Sequence, residues 1–130
     1  MRNMSFAMTT EQIRNRTKTC TRRMRWLFAK VGDIVQPVVK GQGLKCGERV
    51  EKIGGPIRFM DVRRERADGI IITPNDCARE GFPNLTPYEF VAMCCKANGC
   101  YYWDVITRIE FEYLEDDSNH ANLKGEHDEL

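Results

Sequence analysis

The sequence predicts one α+β domain, a small mixed sheet or partly open barrel with short helices packed at one side. Three observations carry that expectation. Val105, Thr107, Ile109, Phe111 and Tyr113 alternate with Ile106, Arg108, Glu110 and Glu112, the period-two pattern of a strand with one buried face. Thr73 before Pro74, and Thr86 before Pro87 with Glu89 at the third position, each put a hydroxyl at a helix cap and a proline at the first helical position, where its missing N–H donor costs nothing. A chain of 130 residues with 42% hydrophobic and 30% charged content can bury a single core and has no room for two full domains.

The remaining elements follow in chain order. Thr9 with Gln12 three residues on has the form of a capping box, which predicts a short helix from about Thr10 to Arg16. Trp26 to Lys30 and Ile34 to Val39 read as two extended pieces around a turn at Val31, Gly32 and Asp33, with Pro37 demoting the second to an edge or bulged strand. A glycine-rich middle follows from Gly41 to Gly55. A further strand runs from Pro56 to Arg64, and its alternation slips between Phe59 and Met60, the mark of a β-bulge. After Thr73 and Thr86 open their helices, Gly81 and Gly99 serve as stops, and Phe90, Val91, Cys94 and Ala97 fall on one face of the second. The expected domain spans residues 1–114. From Leu114 onward little is left to bury, and residues 115–130 read as a disordered acidic tail.

A net charge of +1 conceals a segregation. Arg14 to Arg25 holds Arg14, Arg16, Lys18, Arg22, Arg23 and Arg25 without one acid, whereas Glu110 onward holds eight acids against Lys124. The balanced total excludes a histone-like polycation, while the local basic segment still attracts phosphate by releasing counterions. The six cysteines form no CxxC pair, Cys94 and Cys95 cannot both face one metal from a helix, and His120 and His127 lie in the tail; neither metal nor other cofactor is expected, and the thiols are read as reduced. No stretch is apolar enough for a membrane span, and no charged-then-apolar leader precedes the domain, so the expected location is cytoplasmic. The final His127, Asp128, Glu129, Leu130 matches a retention address of the endoplasmic reticulum and is read as coincidence without an entry signal.

Within the basic segment, Lys18 and Thr21 place an amine and a hydroxyl three residues apart. An amine desolvated among other cations loses its proton more easily and can act as a base toward such a hydroxyl. The same residues also fit a solvated basic turn, and Arg22 and Arg23 fit bidentate phosphate contact. Glu80, just before the stop at Gly81, sits at the unfavourable end of a helix dipole, which makes it a candidate partner for Lys18 or Arg22 across the fold. Trp26, Phe28, Tyr101, Tyr102 and Trp103 are rings that either complete the core or stack on bases.

Taken together, these segments resemble the ASCH family of the PUA-like superfamily. The resemblance rests on Met8, Thr9, Thr10 before the first helix, on Lys18, Thr19, Cys20, Thr21, Arg22, and on Val31, Gly32, Asp33. It continues in Glu80, Gly81, Phe82 and in Val105 to Phe111, and so covers about residues 4 to 114. The Thr-Arg-Arg form is similar to versions from bacteriophages and bacteria. The resemblance implies a PUA-like β-barrel with a cleft that binds RNA or a modified nucleoside, here through Lys18, Thr19, Arg22, Arg23, Arg25 and Trp26, with DNA as an alternative partner. One bacterial branch hydrolyses the acetyl amide of N4-acetylcytidine, and its roles would fall on Thr21 as nucleophile, Lys18 as base and Glu80 as supporting carboxylate; other members are connected with RNA cleavage. The chain departs from that compact branch in its length, its inserted Gly41 to Gly55 segment and its extra arginines. A third reading is a phage-type interaction or inhibitor protein that binds no small ligand and uses the acidic tail as its contact.

Overall fold

The computed structural model of the chain describes residues 1–40, 49–69 and 72–114. The expectations for the acidic tail, the terminal tetrapeptide, both histidines, Cys46 and most of the glycine-rich middle lie outside those residues.

Among the described residues five strands form one mixed sheet: β1 (Arg2–Ser5), β2 (Cys20–Arg23), β3 (Ile34–Val38), β4 (Ile57–Arg66) and β5 (Val105–Tyr113). Their spatial order is β1-β3-β4-β5-β2, with β1 parallel to β3 and every other pair antiparallel. The helices are α1 (Thr10–Arg14), α2 (Pro74–Arg79) and α3 (Pro87–Asn98). The α+β class is therefore as expected. A closed barrel is not: among the described residues β1 and β2 each keep one unpaired edge, so the sheet stays open along its side.

The two proline-started helices form as their caps dictate. Thr73 accepts from the backbone of Asp76 and Thr86 from that of Glu89, and each acid reciprocates to the cap residue's N–H. Gly99 ends α3 in the left-handed region, which glycine enters without steric cost. The slip after Phe59 is a bulge at Met60, because Phe59 pairs with Phe111 while Asp61 pairs with Glu110.

Four expectations are corrected. Thr9 makes no side-chain cap bond; Thr10 instead donates its hydroxyl to Phe6, and the helix stops at Arg14 rather than Arg16 because Arg16 turns into the left-handed region. Trp26 to Lys30 is turn rather than strand, anchored by the Trp26 ring against Phe28 and edge-on to Phe59. Pro37 lies in an interior strand. It is tolerated because β3 has already left β4 at that point and Pro37 needs only its carbonyl, which accepts from Ile53. Finally, β5 is buried on both faces at its centre, with Ile106, Thr107, Arg108 and Ile109 all inside. On one face Ile109 and Phe111 join Met4, Phe6, Val35, Ile57 and Phe59; on the other, Ile106 packs with Ala67 and with Cys95 of α3. Burying an aliphatic or aromatic side chain contributes about 1.5–3 kcal/mol, so the larger first cluster dominates stability.

Candidate functional site

The segment read as a basic turn runs into strand β2, and it is largely buried: Lys18 just before the strand, and Thr21 and Arg22 within it, are 3%, 3% and 6% exposed. Cationic residues enter the interior only when paired and hydrogen-bonded. Here one carboxylate serves both cations: Glu80, itself 3% exposed at the C-terminal end of α2. The Lys18 ammonium donates to Glu80 Oε1 at 2.9 Å and to the Glu80 carbonyl at 2.7 Å, while Arg22 Nη1 donates to Glu80 Oε2 at 2.9 Å. Arg22 Nε donates in addition to Glu65 Oε2 at 3.2 Å. Burial opposes charge on Arg22, but the attraction of Glu80 and Glu65 outweighs it and holds the guanidinium above its ordinary value.

The chain around Glu80 is built to hold it there. Gly81 adopts a φ of +98°, and a Cβ at that position would stand 2.9 Å from the Gln12 side chain. Gln12 Nε2 donates to the Gly81 carbonyl, and Thr19 N donates to that of Arg79. The segment after α1 is thus laced to the end of α2, which brings Lys18 to Glu80 across 62 residues of sequence.

Arg23, the next residue along β2, lives differently. Its Nε donates to Thr21 Oγ1 at 2.9 Å, its guanidinium lies 4.7 Å from the centre of the Phe6 ring, and among the described residues no carboxylate comes within ion-pairing distance. Loss of water pulls it down to about 10, only partly offset by the more distant Glu80, so it remains charged at neutral pH.

These groups share one cleft of about 310 Å³, which opens where the sheet fails to close. Ser5 and the turn Phe6 to Thr9 form one wall and β2 the floor, with Lys18, Thr21, Arg22, Arg23 and Glu80 reaching it. The other wall comes from Phe82, Phe90, Met93, Cys94 and Asn98. Apolar surfaces with a few convergent polar groups are the usual make-up of a small-ligand site. The Cys94 thiol in that wall is pushed up to about 11 by burial, so it is a packing group rather than a nucleophile.

Lys18, Thr21, Arg22, Arg23 and Glu80 therefore meet in one place. Three other sequence candidates do not join them. Thr19 is half-buried, and its backbone bonds Arg79 and Phe111. Arg25 and Trp26 line a neighbouring groove. Phe6 and Asn98 carry no sequence signal, and Phe82 and Phe90, named for the family resemblance and for a helix face, were not expected in the site, because the turn after β1 and the helix α3 meet only in the folded chain. Among the described residues no three His, Cys, Asp or Glu side chains converge as a metal site would require. No helix among them is long and apolar enough to cross a membrane.

No family model matches the chain, and no curated protein does. A solved structure does: protein EF3133 from Enterococcus faecalis V583, of the DUF984 family, superposes with a TM-score of 0.63 at 13% identity, over 98% of this chain and 83% of that one. At that identity what the two proteins share is the fold.

Proposed function

We propose that this chain is an ASCH-type domain whose cleft binds a nucleobase or nucleoside, as part of RNA or free. The observation that carries the reading is the cleft itself: apolar and aromatic walls of nucleoside dimensions, with the unpaired Arg23 guanidinium, the Thr21 hydroxyl and the Asn98 amide converging on it. The half-buried Phe82 ring suits the apolar face of a base, Phe6 and Phe90 back the walls from the core, and polar groups at the rim suit the edges of the base. The fold likeness to a DUF984 protein supports the ASCH assignment, since that family is in general ASCH-like in fold. Calorimetric titration with the common nucleosides and N4-acetylcytidine tests the reading. Saturable binding that weakens on Phe90→Ala and Arg23→Gln is expected; no heat with any of them would remove it.

A second reading, hydrolysis of the N4-acetylcytidine amide, is favoured by the meeting of Lys18, Thr21 and Glu80 in that cleft. The ion pair sets its terms. Lys18 gives two of its protons to Glu80, so it becomes a base for Thr21 only after a proton passes to the carboxylate, and Thr21 now accepts from Arg23 rather than from Lys18. Under this reading Thr21→Ala abolishes acetate release while leaving nucleoside affinity in place. Undiminished release from that variant would eliminate the threonine as nucleophile.

A further inference from the structure

Beside the cleft runs a second depression of about 520 Å³, between the unpaired edges of β1 and β2. The two share Ser5, Arg23, Ala97 and Asn98, so they form one continuous surface. Their electrostatics differ. The cleft contains Glu80, whereas the groove is lined by Arg23, Arg25 and Lys40 with Asn3, Ser5 and Asn98 and, among the described residues, by no carboxylate. Among the described residues neither arginine has a salt-bridge partner, although Arg22 has two, and Arg63 and Arg108, which face the other side of the sheet with it, are both matched to acids.

That contrast argues for an anion supplied from outside. Cations collected along a concave path match the oxygens of a phosphate ester. The continuity with the cleft decides which phosphate: one attached to the same ligand. We infer that the groove is a phosphate subsite, and that the ligand of the cleft is a nucleotide unit, its base among the rings and its phosphate on Arg23 and Arg25. This rests on the nucleoside reading of the cleft but goes beyond it, because it excludes the bare nucleoside as the preferred ligand.

The test compares cytidine, its 3′- and 5′-monophosphates and the trinucleotide CpCpC, and the uridine series alongside, by calorimetry at 50 and 200 mM salt. The phosphorylated ligands should bind at least tenfold more tightly than the nucleoside at the lower salt. A further gain for the trinucleotide assigns the groove to a strand, and equal affinity assigns it to a mononucleotide. A strand that sets two phosphates there loses about sevenfold in affinity between the two salt concentrations, while the nucleoside loses almost nothing. Arg25→Gln combined with Lys40→Gln should erase most of the ratio between phosphorylated and unphosphorylated ligands. Nucleoside binding with no gain from phosphate, or a gain that survives the double variant, overturns the inference and leaves the cleft reading standing. Arg25-dependent binding of the phosphates without nucleoside binding keeps the groove and removes the cleft reading; no binding of any ligand removes both.

Discussion

Arg22 and Arg23 are neighbours on one short strand, yet they inhabit opposite electrostatic worlds. Arg22 faces the side of the sheet where α2 packs, opposite Arg108, which in turn stands opposite Arg63 on β4. Three like charges in a row across adjacent strands are destabilising unless matched. Here they are: Asp61, Glu65, Glu80 and Glu110 surround them. Arg23 faces the other way, onto Phe6 and Thr21. The comparison teaches that the basic segment does two separable jobs. Lys18 and Arg22 hold α2 to the sheet, and Arg23 and Arg25 are left for solvent or ligand.

The sharpest way to break the comparison is to remove the acid from the matched side. Glu80→Gln leaves Lys18 and Arg22 buried without their shared carboxylate, and breaking a buried pair in this manner costs about 3–5 kcal/mol. Urea denaturation should show that loss. A change below about 1 kcal/mol would mean that water reaches the network and that its burial contributes little. Next in size is Gly81→Ala, which forces a side chain into a left-handed backbone and toward Gln12; held there it costs about 1–3 kcal/mol and loosens the end of α2 that carries Glu80. The readout is again the urea midpoint.

Smaller in stability but larger in binding is the exchange of the two arginines' fates. Arg22→Gln should destabilise, since it strips Glu80 and Glu65 of a partner, whereas Arg23→Gln should shift stability by no more than about 1 kcal/mol because only a hydrogen bond to Thr21 and a ring contact are lost. Nucleoside or nucleotide affinity should respond in the reverse order. Equal destabilisation by both changes would collapse the distinction between them.

How far these differences could be read in advance follows from where their causes lie. Elements specified within a few residues were readable: the caps at Thr73 and Thr86, the stop at Gly99, the alternation of β5 and the bulge at Met60. Glu80 could be singled out as an acid in an unfavourable local field, and it pairs with both cations named for it. Strand β2 could not be seen as a strand. Lys18 to Arg23 has no apolar alternation, and its burial depends on carboxylates more than forty residues away. Strand β1 was missed for a related reason, since Arg2–Ser5 gains its place only by parallel pairing with β3. The unclosed gap, and hence the cleft, is a property of strand order, which local patterns do not encode.

The mildest probe of the matched side is pH. Cys20 lies on β2 opposite Glu110, and burial, with Glu80 adding to it, pushes its thiol up to about 12 from the ordinary thiol range. A raised folded value means that the native state keeps its proton through a window where the unfolded chain has lost it. The contribution is therefore fully present below the ordinary thiol value and is lost as pH rises from there toward 12. Cys94 and Cys95, raised to about 11 and about 12, act in the same direction from α3. Arg22 is held above its ordinary value, and Arg23, at about 10, is still mostly charged at the highest pH of the test below, so over that range the thiols set the slope. Stability measured by urea at pH 6, 7.5 and 9.5 should be level over the first step and fall over the second, and Cys20→Ala should reduce that fall while lowering stability throughout through the lost packing. A profile of unchanged slope in Cys20→Ala would show that water already reaches the thiol beside the network, and with it that the matched side of β2 is less sealed than its ion pairs imply.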